Sequence, residues 1–583
     1  MKRFKKALAL FLAFGMAVSF AGCDRLEENI SSESDEYRQS SADLTFQGTW
    51  NYDQETGVCW QTGVPFTATN AQMQETLTVY IPGTYMKGLK QSGGSCEAVP
   101  DENGKAGAYT TGTAPITFFV ETEEDGARYA ATDQNDKSDK AIEKYLESGF
   151  IVVHVGGSGT GERSAPWGAA ALKAAIRWYR FNSDVLPGDT ERIFVCGTGS
   201  GGNLAAVAGA SGDSELYTPY LEALGAAMTG KNGEPLSDAV CGAACWSPIT
   251  GLDAADAAYE WNMGQYDRAG TRANGTWTAA LSTDLAEGYV DYVNQLDFKD
   301  EQGNPLRLIK SAKGIYNAGS YYRYLLAEVE SALNAFLSET QFPYTPANTA
   351  GTAQGSAGTI VQPTPSGSAT TYATPRDYAD ALNADMKWIN YNATTNKAKI
   401  ISMEAFIQHC KNASADVCAF DGLKRGTAEN KLFGTNADEK LHFDAMLSSL
   451  LQKNEEKYRT YSDWSDTLAG DFAADLKTAD TIGSAVPHRL ELYEPLYWLS
   501  GYYAGYGQAK TAAHWRIRAA VGQSAVPLTA ETNLALALRQ TNAVKDVDFA
   551  EVWQQSGTMA ERSGDPAANL AVWIDQCLDD PEN

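Results

Sequence analysis

The sequence predicts an α/β protein in which a mostly parallel sheet carries helices on both faces and is interrupted by a large, mainly helical insertion. Strand-like apolar runs alternate with helical stretches through residues 46–250, disappear from 251 to 490, and return between 491 and 583. Strands that alternate with helices favour a parallel sheet covered on both faces. We therefore predict one core in two halves with a lid between them, rather than two consecutive domains.

The first half of the core contains most of the expected elements. Strands are expected at 76–81, 116–120, 150–155, 192–196 and 240–246, and helices at 141–148 and 169–182. Polar and apolar side chains alternate in the first run, as in a half-buried strand, whereas the next two runs are strongly apolar.

The stretch from 192 to 206 is the centre of this half. A strand-like run enters the turn GTGSGG at 197–202, and small helix-forming residues follow directly. Strand, sharp elbow and helix is the arrangement in which an α/β-hydrolase holds its nucleophile. A second glycine-rich loop begins with Gly156 and Gly157, where backbone N–H groups are expected to line an oxyanion hole. A plain turn is the alternative for that loop.

The insertion and the second half have a different pattern. Helical stretches and dense aromatic residues occupy 251–490, and a low-complexity segment at 346–375 predicts a long surface loop. The aromatics fit either the cleft under the lid or the lid's own core. Beyond the lid, strands are expected at 514–518 and 547–553 and a final helix at 567–577.

Charge and the N-terminal segment limit the classes of function. Lys and Arg total 46 against 73 Asp and Glu, a net charge of −27, which argues against charge-driven binding to nucleic acid or an anionic membrane. Residues 1–23 have a basic start, a short apolar run and a lipobox-like end at Cys23; an ordinary secretory signal is the alternative. We expect residues 24–45 to be a flexible tether. The protein is then extracytoplasmic, in the bacterial cell envelope, and held at the membrane only through lipidated Cys23.

Eight cysteines remain after Cys23, an even number that permits disulfides in an exported protein. The pairing stays open, and plausible local pairs are Cys59 with Cys96 and Cys410 with Cys418. Cys241 and Cys245 lie in an apolar run with no nearby histidine, so we interpret them as buried small side chains rather than zinc ligands. We expect no metal and no cofactor, and the oligomeric state stays open.

Separated stretches, in order along the chain, resemble one family. They are LKAAIRW at 172–178, LPGD at 186–189, the glycines of 197–202, SPIT at 247–250, AYEW at 258–261, HWRIR at 514–518 and TMAER at 558–562. On these stretches, residues from about 45 to 577 resemble the tannase-like branch of bacterial α/β-hydrolases, carboxylesterases of the tannase and feruloyl-esterase kind. The resemblance implies an α/β-hydrolase fold with a helical lid and, in its active members, a Ser-His-Asp triad.

The chain departs from the family pattern at all three triad positions. Relatives have an elbow like GTSAGG, which places Gly199 where the nucleophile belongs. Ala525 stands where relatives carry the triad aspartate, and Gly557 stands where they carry the histidine. The chain order of such a triad is nucleophile, acid, histidine. No histidine follows His514.

Ser200 lies one residue beyond the elbow position, and three roles stay open for it. It is a helix-capping or plain small residue, a hydrogen-bonding group for a ligand, or a nucleophile with an unidentified base such as His488. One step along a helix rotates a side chain by about 100°. His514 begins its strand, about 23 Å from the carboxyl edge at ~3.3 Å per residue, so we interpret it as structural.

The first hypothesis is a lipid-anchored pseudoenzyme of tannase and carboxylesterase ancestry. It would bind a small aromatic or ester-like ligand, or a partner protein, in the cleft under the lid. The alternative is an active carboxylic ester hydrolase that uses Ser200, and a third hypothesis is a structural surface lipoprotein without a ligand. The sequence leaves open whether the chain is an enzyme.

Overall fold

The computed structural model describes residues 44–68, 75–90, 95–120, 140–156, 164–311, 315–346, 371–411, 413–522, 527–553 and 559–579. Several predicted features lie outside these residues: Cys23 with its signal segment, Gly157, Ala525, Gly557 and most of the loop at 346–375.

A single ten-stranded sheet forms the core. Its strands, in chain order, are β1 (Thr49–Asp53), β2 (Val58–Pro65), β3 (Thr76–Pro82), β4 (Cys96–Glu97), β5 (Ile116–Val120), β6 (Ile151–Val155), β7 (Ile193–Thr198), β8 (Gly242–Trp246), β9 (His514–Ala520) and β10 (Asp546–Val552). Along the sheet they lie in the order β10-β9-β8-β7-β5-β6-β3-β2-β1-β4. The strands from β10 to β6 are parallel, and the strands from β3 to β4 continue the sheet antiparallel.

Helices cover the sheet and build the lid. The core helices are α1 (Lys140–Glu147), α2 (Trp167–Phe181), α3 (Gly199–Ala210) and α4 (Thr218–Ala223). The lid contains α5 (Ala255–Asn262), α6 (Trp277–Leu296), α7 (Ser320–Glu339), α8 (Pro375–Leu382), α9 (Met403–Phe406), α10 (Ala428–Leu432), α11 (Ala445–Lys453), α12 (Glu455–Tyr458), α13 (Leu468–Asp475) and α14 (Val486–Tyr493). The chain then forms α15 (Pro495–Leu499), α16 (Thr529–Arg539) and α17 (Pro566–Leu578). The α/β-hydrolase fold with a helical insertion is thus confirmed.

Small residues let α3 lie close to the sheet. A Cβ added to Gly209 would come within 2.8 Å of the Trp515 ring and 2.9 Å of the Ala243 methyl group. Both distances are shorter than any ordinary contact, so only glycine fits at this crossing of helix and strand. The small-residue run after the elbow is therefore a packing requirement of the helix that follows β7.

A buried ion network joins α2 to the segment before β8. Lys173 Nζ lies 2.8 Å from Asp238 Oδ1, and Arg177 Nε donates to Asp238 Oδ2 at 2.7 Å. The Lys173 and Asp238 side chains are 0% and 1% exposed. Burial by itself would raise the pKa of Asp238, but the two cations outweigh it and hold that pKa below its usual range. Lys173 also donates to the carbonyl of Ser211 at 2.7 Å, which fixes the end of α3.

Some details differ from the sequence-based expectations. Strand β3 is buried on both faces rather than half-buried, because Leu77, Val79 and Ile81 face the main core and Tyr80 faces a second cluster beside α1 and α17. The lid also contains an antiparallel hairpin, Ile389–Asn392 with Lys397–Ile400, in a region where we expected helices alone.

The structure also tests the expected disulfides and shows whether any described helix could cross a membrane. All eight cysteines of the described residues are free thiols, so neither of the two local disulfides forms in the structure. Among the described residues, no helix is both long and apolar enough to span a bilayer.

Candidate active site

The elbow is a sharp turn between β7 and α3. Strand β7 ends at Thr198 and the helix begins at Gly199, whose φ is +54°. A left-handed backbone at this point is typical of the strained strand-to-helix turn on which α/β-hydrolases hold the nucleophile. Gly199, and not Ser200, therefore occupies the turn.

The glycines of the elbow differ in how much space surrounds them. A Cβ on Gly197 would lie 2.3 Å from the carbonyl oxygen of Gly201, and one on Gly202 would lie 3.1 Å from the carbonyl oxygen of Gly197. A side chain at position 197 would collide with the backbone of the helix, and one at position 202 would be crowded against the strand. A Cβ on Gly199 would meet only Ile249 Cδ1, at 3.9 Å. Space for a side chain thus remains at the turn itself.

Ser200 is the second residue of α3 and is partly exposed. Thr198, not Ser200, occupies the N-cap position. Ser200 makes no side-chain hydrogen bond within the described part of the chain. Its hydroxyl thus has no general base beside it among these residues, and a serine without a base is a weak nucleophile.

All five histidines lie in described residues, and each contacts other groups. His154 packs against Tyr80 and Phe119 in the sheet, and His409 stacks on Trp388 in the lid. The other three have carboxylate partners: His442 with Asp421, His488 with Glu491 and His514 with Asp546. His488, the candidate base, is 41% exposed and lies 3.3 Å from Glu491. The described hydrogen bonds and ring contacts connect none of these imidazoles to the elbow.

Gly156 directly follows β6 at the carboxyl edge of the sheet. Its N–H donates to the carbonyl oxygen of Thr76 at 3.1 Å. That donor is already used within the sheet, so an oxyanion would need other donors, such as the N–H groups in the first turn of α3.

A narrow cavity with a mixed polar and apolar lining lies between the lid and the core helices. The cavity has a volume of about 20 Å³, room for about one water molecule. It is lined by Thr250, Gly251, Ala254, Ala255, Ala258, Tyr289, Tyr292, Leu496, Pro527, Thr529, Ala530 and Asn533. Asn533 accepts a hydrogen bond from Tyr321 at 2.6 Å and donates to Tyr289 at 3.1 Å. These contacts join the lid helices α6 and α7 to α16 of the core.

A buried charged cluster lies where the lid meets the last two strands. Glu551 is the penultimate residue of β10, Glu531 lies in the first turn of α16, and Lys411 ends the π-helical turn that follows α9. Lys411 Nζ and both carboxylate oxygens of Glu551 are buried without a hydrogen-bond partner in the described structure. Burial lowers the pKa of Lys411 to about 8 although both glutamates oppose the shift, and burial together with Glu531 raises the pKa of Glu551. Such groups are suited to the polar substituents of a ligand.

Sequence reasoning did not find this cluster. Its members are 20 and 120 residues apart along the chain (551 − 531 and 531 − 411), and no motif connects them. The one local signal is the π-helical turn, a feature that is frequent at functional sites but that is not readable from residue types.

Carboxyl groups of the lid, one buried and two half-buried, also make the stability depend on pH. Burial raises the pKa of Asp256 to about 7, of Glu429 to about 7 and of Asp253 to about 6. Their stabilisation is complete below the ordinary pKa values and is lost as pH rises through the folded-state values. The pKa of Asp213 is lowered to about 2, so this group changes the stability only at pH values below this range. We therefore expect these three groups together to lower the free energy of unfolding between pH 5 and pH 8 by several kcal/mol, at most about 7 kcal/mol.

Thermal melts from pH 5 to 8 at low and high salt test this expectation. Surface repulsion from the net charge of −27 would also favour lower pH, but 1 M salt screens charges beyond about 3 Å. The acid stabilisation from buried groups should survive in 1 M salt. A Tm that is constant or rises from pH 5 to 8 would contradict the assignment.

Comparisons with known proteins agree with the fold. The BD-FAE family model matches residues 125–255, which include the elbow and β8. No curated protein matches the chain. Among solved structures, tannin acyl hydrolase from Lactobacillus plantarum superimposes with a TM-score of 0.63 at 21% identity, over 92% of this chain and 100% of that one. A tannase from Fusobacterium nucleatum gives a TM-score of 0.64 at 22% identity, over 92% and 99%.

The chain has the fold of the tannases. The resemblance to tannase-like and feruloyl-esterase-like α/β-hydrolases that the motifs predicted is thus confirmed. Because the match extends over nearly the whole of both chains, the lid belongs to the shared architecture together with the sheet. In α/β-hydrolases the corresponding strand-to-helix turn holds the nucleophile.

Proposed function

We propose that this protein is a pseudoenzyme of tannase-like ancestry. It binds a small aromatic or ester-like ligand under the lid, outside the cytoplasm, and does not hydrolyse it. The observation that carries the proposal is Gly199, which keeps the left-handed backbone of a nucleophile elbow without a hydroxyl group.

The other two triad positions support the same conclusion from the sequence. Ala525 and Gly557 carry neither an acid nor an imidazole. A triad acts as a unit, and removing its nucleophile or its histidine costs about as much rate as removing all three members. Three absent groups thus leave only the weak acceleration that binding and backbone donors supply.

The proposed ligand has an aromatic ring with polar substituents. Solved tannin acyl hydrolases are recorded in complex with 3,4-dihydroxybenzoate and with ethyl gallate. In this chain, Lys411 and Glu551 supply a buried donor and buried acceptors beneath the lid. Hydroxyl groups on a ring both donate and accept, so they fit such a pair.

Activity is tested on the full chain with a fluorophosphonate probe and a panel of gallate, ferulate and short acyl esters. We expect no labelling above that of the Ser200→Ala variant and no turnover above buffer. A solved tannase from the same fold serves as the positive control. Stoichiometric labelling with turnover, both lost in Ser200→Ala, would instead establish an active ester hydrolase and refute the pseudoenzyme.

Binding is tested by the shift in Tm that 3,4-dihydroxybenzoate causes. A ligand at about 100 times its Kd adds about 2.7 kcal/mol to the stability of the folded state. We expect Lys411→Met to lose most of this shift, measured against its own ligand-free melt. Lys424→Met, an exposed lysine of the same lid, should keep the full shift. Equal shifts in both variants would exclude Lys411 as a ligand-binding group, and no shift in any protein would favour a structural lipoprotein.

The lipid anchor is part of the proposal and rests on the lipobox-like end at Cys23. Labelled fatty acid should be incorporated into the wild-type chain in cells and not into Cys23→Ser. Equal incorporation, or none in either chain, would exclude lipidation at this residue.

A further inference from the structure

Three potential metal ligands meet at the end of the sheet opposite the elbow. His514 is the first residue of β9 and Asp546 is the first residue of β10, and the two face each other in the parallel register. Cys577 reaches the same point from the last turn of α17. One ligand atom from each residue lies within 4.8 Å of the other two.

We propose that His514, Asp546 and Cys577 bind a divalent transition-metal ion, with zinc the best match. Thiolate, imidazole and carboxylate are the ligands that zinc takes in proteins, and a soft thiolate disfavours magnesium and calcium. Metal–ligand distances of about 2.0–2.3 Å in a tetrahedron place the donor atoms about 3.3–3.8 Å apart. A separation at the 4.8 Å limit needs to shorten by about 1.0–1.5 Å. His514 Nδ1 and Asp546 Oδ2, which are in direct contact, need to move apart if both bind the ion.

Burial and charge at this point suit a bound cation. His514 is 1% exposed and Cys577 is 4% exposed, which protects the imidazole and the thiol from solvent. The Asp546 side chain is 45% exposed and gives the ion a route of entry. His514 Nδ1 already contacts Asp546 Oδ2, so the imidazole is oriented before an ion arrives.

The electrostatics of the thiol agree with this assignment. Burial first, and then the carboxylate of Asp546, raise the pKa of Cys577. A cation between the two groups reverses the effect of the carboxylate and favours the thiolate. Binding of one ion releases the Cys577 proton to solvent and leaves neutral His514 and anionic Asp546 as the other ligands, with water in the fourth position.

The ion would connect the two strands that follow the lid to the last helix of the chain. These ligands come from positions 514, 546 and 577, so sequence spacing could not reveal the site, and we expected no metal. The site lies at the amino ends of the strands, so the proposal holds whether or not the elbow is catalytic. We expect the ion to stabilise the protein, because a bound ion stabilises the folded state that binds it.

Cobalt binding to the metal-free full chain provides the test. We expect one equivalent of Co²⁺ to bind with a thiolate-to-cobalt charge-transfer absorption in the near ultraviolet, and zinc to displace it. Cys577→Ser should lose this absorption. Cys245→Ser, a buried cysteine of β8, should keep it and serves as the matched control.

Asp546→Asn is the second variant, in case Cys577→Ser fails to fold. Because the Asp546 side chain is partly exposed, we expect its replacement to leave the fold intact. We expect it to weaken cobalt binding at least about tenfold, and zinc to raise the Tm of the wild-type chain more than that of the variant. Absence of the charge-transfer absorption in the wild-type chain would overturn the proposal. So would unchanged affinity in Asp546→Asn, or absorption that persists in Cys577→Ser.

Discussion

Combining Gly199→Ser, Ala525→Asp and Gly557→His in one chain should turn the protein into an esterase. We expect kcat/KM for a gallate or ferulate ester to rise at least about 10³-fold above wild type, because a complete triad is worth far more than any of its members alone. The elbow accepts the new side chain, since the nearest atom to a Cβ at Gly199 is Ile249 Cδ1 at 3.9 Å.

A single variant and a quadruple variant are the controls for this gain. Gly199→Ser alone should remain at background, because its hydroxyl has no base. Adding Ser200→Ala to the triple variant should leave the restored rate unchanged, which separates the two hydroxyl positions. A folded triple variant without turnover, or a single variant as active as the triple, would show that the three positions do not form one site.

Removing the carboxylate of Asp238 should destabilise the protein by about 3–5 kcal/mol. Asp238→Ala leaves Lys173 and Arg177 buried without their anion, since both lie within 2.8 Å of it in the wild-type chain. Urea unfolding measured by circular dichroism gives the loss directly. The end of α3 should loosen with it, because Lys173 also holds the carbonyl of Ser211.

Asp184→Ala is the matched control for the buried network. Asp184 and its partner Lys231 are 58% and 40% exposed, so breaking this pair should cost at most about 1 kcal/mol. Similar losses in Asp238→Ala and Asp184→Ala would contradict the importance of burial. Replacing Lys173, Arg177 and Asp238 together by apolar residues should recover much of the stability.

Elements with a local signal could be predicted from the sequence. Strand β5 has the expected bounds, 116–120, because its apolar residues form one short run ended by a polar stretch. The elbow was placed correctly between a strand and a helix, because its glycines break both patterns. The lid was recognised as an insertion from the loss and return of the strand pattern.

Features made by distant residues could not be predicted. Short strands such as β4, two residues long, have no period to detect. The Lys411 and Glu551 pair and the His514, Asp546 and Cys577 group depend on which strands become neighbours, and residue spacing does not contain that information. The cysteines likewise remain free although their number is even.

The left-handed backbone at Gly199 also bears on how the site can change over evolutionary time. Glycine adopts this conformation without strain, whereas a serine there costs about 1–2 kcal/mol. A mutation that exchanged serine for glycine would abolish attack and relax the turn in one step. Reversion alone would restore the strain without restoring chemistry while the acid and the imidazole are absent. Selection for stability alone would therefore keep glycine at the turn and preserve the loss of the nucleophile.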